Sequence, residues 1–206
     1  MKIIERKLKI FKERNIKKEL NNIKRKIEVF KKRKIQKNFE QLFGWVKGAE
    51  LVELKFCNID EDPVRPELDV IFRRSYGRKI YGVKYKKEIC AIMCFGFSDE
   101  IPRTVKELDL MTRDAYLKSA LRDQKIGKIA VAYTIWSKKR GGGKLIVKEV
   151  FKMIKKSNHL NRLVTLSPLT EMARNFHLNN GAVELQVNEE TQNFEYKIWF
   201  LKNKFR

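Results

Sequence analysis

Residues 137–144 read Ser-Lys-Lys-Arg-Gly-Gly-Gly-Lys and lie between two segments of different character. The apolar run 129–136 before them is typical of a buried strand, and residues 145–154 after them have the periodicity of an amphipathic helix. The first N–H groups of a helix have no partner within the helix, and the helix dipole gives them partial positive charge. Three glycines let an anion approach the backbone, and the flanking cations add charge. The segment therefore predicts a strand, a phosphate-binding turn and a helix, in that order.

An ordinary solvated loop is the alternative interpretation of this turn. The sequence matches neither the P-loop motif nor the Gly-x-Gly-x-x-Gly motif of dinucleotide-binding proteins. The prediction of a phosphate or pyrophosphate ligand therefore depends on the segments that follow the turn. The candidate ligand contacts are Lys138, Lys139, Arg140, Gly141, Gly142, Gly143 and Lys144.

The composition indicates a folded and strongly basic protein. The 206 residues suffice for one domain with an appendage, and 13 phenylalanines and three tryptophans argue against global disorder. The net charge is +22, from 47 Lys+Arg and 25 Asp+Glu. Such a charge attracts polyanions, although an AT-rich genome that encodes many lysines is an alternative explanation.

Cysteine and histidine usage predicts a cytoplasmic protein without a metal site. Cys57, Cys90 and Cys94 lack the spacing of a disulfide framework, so we expect reduced thiols. Two histidines make a zinc site unexpected. No apolar run approaches the roughly 20 residues that span a bilayer, so no transmembrane segment is expected.

Residues 1–47 differ from the rest and are predicted to form a basic helical extension of a domain at 48–206. They contain 17 Lys+Arg and five Glu, which gives +12 of the net +22. Apolar residues recur every three or four positions, which predicts an amphipathic helix with a narrow apolar side that needs a partner helix. That partner could be the chain's own domain, a second copy or another protein. The basic side favours nucleic acid or another acidic partner, with a solvated surface as the alternative.

The remainder predicts an α/β (α+β) domain. Residues 129–200 indicate the order strand, helix, strand, helix, strand, strand, which is typical of a mixed β-sheet flanked by helices. Predicted strands before this region are 50–58, 68–74, 79–86 and 88–97, with a helix at about 104–124.

Two motifs resemble the acyl-CoA core of the GCN5-related N-acetyltransferases. They are Lys-x-x-Gly-x-Gly at 138–143 and Ala-x-x-Phe-His-x-x-x-Gly-Ala at 173–182. The resemblance covers residues 128–200 and implies acetyl-CoA or another acyl-CoA as cofactor, with its pyrophosphate bound at the first motif. It also implies that separated strands leave a backbone N–H near the thioester. The further cofactor contacts that it implies are Thr134, Ile135, Trp136 and Thr170.

A closer resemblance, to malonyl-CoA decarboxylase of the same fold, involves Leu-Ser-Pro at 166–168 and Asn-Phe-His-Leu-Asn-Asn-Gly-Ala at 175–182. In that family the serine and the histidine act on the acyl-CoA, which implies catalytic roles for Ser167 and His177. A histidine with its ordinary pKa of about 6.5 can accept or donate a proton near neutrality. A packed core histidine and a helix-capping serine are the alternatives.

Three functions remain open at this point. The leading hypothesis is an acyl-CoA-dependent N-acetyltransferase whose amine acceptor is attached to an acidic or nucleic-acid carrier. The second is a non-catalytic component of a nucleoprotein or virion assembly with the same fold, and the third is a small malonyl-CoA decarboxylase-like enzyme. The shared motifs also suggest short prokaryotic or phage proteins, so the chain could be encoded by a phage or virus.

Overall fold

The structure is a computed structural model that describes residues 44–122 and 125–196, together with positions 25, 28 and 29. The predicted amphipathic helix within 1–47 lies almost entirely outside these residues. Its partner and the domain boundary after residue 47 therefore stay predictions. None of the helices in the described part of the chain has both the length and the hydropathy needed to cross a bilayer.

Seven strands form one mixed sheet, flanked by helices, in the order β1-β2-β3-β4-β5-β7-β6. Strands β4 and β5 are parallel, and the other described neighbours are antiparallel. The predicted fold class and the order of elements after residue 128 are confirmed. The elements are β1 Ala49–Leu54, α1 Val70–Arg74, β2 Lys79–Tyr85, β3 Glu88–Ser98, α2 Val105–Arg122, β4 Ile129–Ser137, α3 Gly142–Lys156, β5 Arg162–Pro168, α4 Glu171–Asn179, β6 Ala182–Val187 and β7 Thr191–Tyr196, with short 3-10 helices at Gly44–Gly48, Ile59–Glu61 and Ser75–Gly77.

Alternation along the central strand β4 divides the core into two layers. Ala130 and Ala132 belong to one layer, into which the apolar side of α3 packs. Val131 and Tyr133 belong to the other, which contains Leu108 of α2. Because β4 is buried on both faces, its apolar run fixes the strand in the middle of the sheet.

The predicted strand at residues 68–74 is wrong, because Val70–Arg74 form helix α1. The side chain of Asp69 accepts a hydrogen bond of 2.6 Å from the backbone N–H of Phe72 and so caps the helix. Arg73 then enters the core, where its Nη1 lies 2.8 Å from Oδ2 of Asp62. The cap and the buried ion pair override the strand preference of the apolar residues between them.

Candidate functional site

A cleft opens where the parallel strands β4 and β5 separate. The two strands pair from Ile129 opposite Arg162 to Ala132 opposite Thr165, and both continue beyond that point. Alternate backbone groups of residues 133–137 therefore face the gap instead of β3. The cleft has a volume of about 580 Å³. Its lining comprises Glu61, Pro63, Val64, Ala132, Tyr133, Thr134, Ile135, Trp136, Ser137, Lys138, Gly143, Thr165, Leu166, Ser167, Pro168, Thr170, Met172, Ala173, Phe176 and His177.

The three glycines of the β4–α3 turn have different structural roles. Gly141 precedes α3 with a φ of 84°, a left-handed conformation that favours glycine. Gly142 is buried, and a Cβ there would lie 3.1 Å from the carbonyl oxygen of Cys90, so the helix could not pack as closely on β3. Gly143 lines the cleft beside the ring of Phe176. Gly143 is thus the glycine that a ligand in the cleft can approach.

The cations of the turn are also divided between the cleft and the outer surface. Lys138 lines the cleft, and its Nζ lies 2.5 Å from Oε2 of Glu61. Lys139 points to Glu88, with 2.7 Å between Nζ and Oε2, and the hydrogen bond raises the pKa of Lys139. Arg140 and Lys144 do not line the cleft. Lys138 is therefore the predicted cation that the structure brings to the site.

Ser167 and His177 line the cleft and form a hydrogen-bonded row with Tyr196 behind them. Ser167 is the residue before the end of β5, His177 lies on α4, and Tyr196 lies on β7. Ser167 Oγ lies 2.7 Å from His177 Nε2, and His177 Nδ1 lies 2.8 Å from the hydroxyl of Tyr196. The structure thus brings the two predicted catalytic residues into direct contact and adds a tyrosine behind them.

Burial keeps this row uncharged. His177 is 5% exposed, and removal from water lowers its pKa to about 3. Burial also raises the pKa of Tyr196. Near neutral pH the imidazole is neutral, so one ring nitrogen donates a hydrogen bond and the other accepts one. The row can therefore donate to a substrate through Ser167 without placing a positive charge in the cleft.

Thr170 has a structural role that the sequence analysis did not assign to it. Its Oγ1 accepts a hydrogen bond of 3.2 Å from the backbone N–H of Ala173, which makes Thr170 the N-cap of α4. Ser167 Oγ instead lies 2.7 Å from His177 Nε2 and 3.2 Å from Thr165 Oγ1. The helix-capping alternative for Ser167 is therefore wrong. Thr170 also lines the cleft, so it can contact a ligand as well.

The side chain of Thr134 connects β4 to the loop that carries Glu61 and Asp62. Its Oγ1 donates to the carboxylate of Asp62, with 2.8 Å to each carboxylate oxygen. Asp62 is buried and pairs with Arg73, so the loop that carries Glu61 is attached to β4. Glu61, Asp62 and Tyr196 were not predicted as site residues from the sequence. Three consecutive carboxylates at 60–62 in so basic a chain are the signal that could have identified the first two.

Sequence comparisons give no match, either to a family model or to a curated protein. Comparison with solved structures gives matches. An acetyltransferase of Bacillus subtilis in complex with CoA is 9% identical, with a TM-score of 0.50 over 73% of this chain and 99% of that chain. A GNAT family acetyltransferase from Elizabethkingia anophelis with acetyl-CoA bound is 10% identical, with a TM-score of 0.46 over 73% and 99%.

A malonyl-CoA decarboxylase from Cupriavidus metallidurans is 22% identical over 66% of this chain, with a TM-score of 0.44. The match covers 36% of that enzyme, so the chain spans about a third of its length. The Bacillus subtilis acetyltransferase matches over nearly its complete length. Together with the mixed sheet and the separation of β4 from β5, this likeness shows that the chain has the fold of the GCN5-related N-acetyltransferases.

Proposed function

We propose that the protein is an acyl-CoA-dependent N-acyltransferase that transfers an acetyl group to an amine. One observation carries the proposal: the glycine turn, the separated strands and the Ser167–His177 pair all open onto the same cleft. Solved acetyltransferases of similar fold that contain CoA or acetyl-CoA support the choice of ligand. A cleft of about 580 Å³ lies within the usual size range of small-molecule sites.

The turn would hold the pyrophosphate of the coenzyme. Gly143 presents its backbone to the cleft without a side chain, and Lys138 supplies a positive charge at the same place. The start of α3 adds the partial charge of the helix dipole. Phe176, which lies against Gly143, provides an apolar surface for the less polar part of the coenzyme.

The acetyl transfer itself would use the strand backbone and the buried row. A backbone N–H among Thr134–Trp136 would hold the thioester oxygen as it gains negative charge. As the amine nitrogen forms its bond to the carbonyl carbon and the C–S bond breaks, the amine gives up a proton and the sulfur gains one. Ser167 is suited to donate to the sulfur, since neutral His177 and Tyr196 hold its hydroxyl in place. The proton that the amine releases would restore the Ser167 hydroxyl through solvent water.

Calorimetric titration with acetyl-CoA tests the proposal. Lys128 and Lys138 stand immediately before and after β4, so Lys128→Met is a control with the same loss of charge away from the turn. At 150 mM salt, where distant charges are screened, we expect Lys138→Met to weaken binding about tenfold. Lys128→Met should leave it within about twofold. A wild-type protein that binds no acetyl-CoA would overturn the proposal.

The acceptor and its carrier remain proposals that rest on charge. The net charge of +22 supports an amine acceptor on an acidic or nucleic-acid carrier, bound in the cytoplasm through residues 1–47. Titrating the complete chain with RNA at 50 and 200 mM salt should show a steep loss of affinity with salt. RNA binding without any acetyl-CoA binding would instead favour the non-catalytic nucleoprotein component.

The contact between Ser167 and His177 favours a second candidate, a small malonyl-CoA decarboxylase-like enzyme. An uncharged donor row could protonate the enolate that remains when the C–C bond breaks and carbon dioxide leaves, giving acetyl-CoA. Mass spectrometry of malonyl-CoA incubated with the protein tests this candidate. Formation of acetyl-CoA by the wild type and not by Ser167→Ala would support decarboxylation over transfer.

A further inference from the structure

We propose that acyl-CoA exchanges the partner of Lys138, and that the Glu61 carboxylate released in this way binds the acceptor as a protonated amine. The acceptor would then belong to the class of cationic amines and would bind after the coenzyme. It would release one proton to solvent water before its neutral nitrogen attacks the thioester. This inference rests on the proposed function, because it needs a pyrophosphate at the β4–α3 turn.

The cleft contains one pair of opposite charges. Among the described residues that line it, Glu61 is the only carboxylate and Lys138 the only lysine or arginine. The two face each other with 2.5 Å between Oε2 and Nζ. In the unliganded protein each side chain therefore neutralises the other, and neither charge is offered to a ligand.

The backbones of both residues are anchored, whereas their side chains remain accessible. Glu61 directly precedes Asp62, whose carboxylate is bound to Arg73 and to Thr134. The backbone N–H of Lys138 donates to the carbonyl oxygen of Cys90 at 2.9 Å. The side chain of Lys138 is 48% exposed and that of Glu61 is 36% exposed. The pair can thus separate by side-chain rotation, without movement of the loop or the strand.

The competition favours the coenzyme. An ion pair that is this open to water is weak, because water solvates both charges and the side chains lose rotational freedom. A pyrophosphate carries more than one negative charge and accepts charge-assisted hydrogen bonds from the lysine and from the turn backbone. Once Lys138 has turned to the phosphate, the carboxylate of Glu61 has no positive partner in the cleft, and an ammonium group supplies one.

Calorimetric titrations with CoA and with acetyl-pantetheine, which lacks the pyrophosphate, test the exchange. Glu61→Gln should bind CoA about two- to five-fold more tightly than the wild type, because Lys138 no longer has a competing partner. The gain should vanish in a Lys138→Met background and should be absent for acetyl-pantetheine. Glu53→Gln is the matched control, since it breaks an ion pair of 2.6 Å with Lys79 on β1 and β2 and should change neither affinity.

The substrate class is tested separately by saturation-transfer NMR with n-butylammonium. We expect the wild type to bind this ion when CoA is present and the Glu61→Gln variant not to bind it. Equal binding by the variant would overturn the assignment of Glu61 to the amine. Unchanged or weaker CoA binding by Glu61→Gln would overturn the exchange, whereas failure of the wild type to bind CoA would overturn the proposed function itself.

Discussion

Replacing His177 by glutamine should make the free energy of unfolding less dependent on pH between pH 8 and pH 5. The imidazole is 5% exposed, and its burial lowers its pKa to about 3. In the unfolded chain the ring regains an ordinary pKa of about 6.5. Below that value the unfolded state binds a proton that the native state does not bind, so stability falls as the pH falls.

The size of this effect follows from the two pKa values. At pH 8 both states are neutral at this ring, and the contribution to the pH dependence is close to zero. At pH 5 protonation of the unfolded state costs the native state about 2 kcal/mol, and at pH 3, where the native ring is itself half protonated, the cost is about 4 kcal/mol. The wild type should therefore lose about 2 kcal/mol more than His177→Gln between pH 8 and pH 5.

Urea denaturation of both proteins at a series of pH values measures this difference, and the carboxylates that the two proteins share cancel in the comparison. NMR of the wild type gives an independent reading that does not depend on whether the variant folds well. The chain has two histidines, so His159→Gln assigns the ring resonance of His177. That resonance should not shift between pH 8 and pH 5. A titration midpoint near pH 6.5, or equal pH slopes in the two proteins, would refute the reasoning.

Two further predictions concern stability. Asp62→Asn should cost about 3 kcal/mol in urea denaturation, because it leaves the guanidinium of Arg73 without its buried counter-ion; a cost below about 1 kcal/mol would contradict the importance of the pair. Gly142→Val should cost about 1–3 kcal/mol through crowding against the carbonyl oxygen of Cys90, with a lowered Tm as the measurement. Gly44→Val is its control, since a Cβ at Gly44 meets no atom of the described residues within 4 Å, and an equal Tm loss in both variants would argue against local crowding.

Local patterns sufficed to predict the part of the fold that holds the cleft. The apolar run of β4 and the periodicity of α3 are strong signals, and the glycines between them leave few alternatives to a turn. Residues 68–74 show where such signals fail. Their apolar character is equally compatible with a strand and with a short helix. The cap at Asp69 and the ion pair between Arg73 and the distant Asp62 favour the helix.

The site was predictable only where its residues lie within recognisable motifs. Ser167 and His177 could be predicted as parts of one site because both belong to motifs that resemble those of malonyl-CoA decarboxylase. Tyr196 could not, since its contact with His177 depends on β7 lying beside β5 in the sheet. The low pKa of His177 could not be predicted either, because it results from burial by elements that lie far apart in the chain.

The buried pair of Asp62 and Arg73 explains how a loop far from the turn comes to form a wall of the cleft. Burying two charges is costly, and a well-packed apolar pair would often be as stable, so stability alone is a weak reason for the pair. Asp62 also accepts hydrogen bonds from Thr134 on β4 and from the backbone N–H of Val64 at 2.9 Å. One carboxylate thus connects the core, the strand beside the proposed thioester site and the loop. The position of Glu61 opposite Lys138 follows from that connection, because Glu61 is the residue immediately before it.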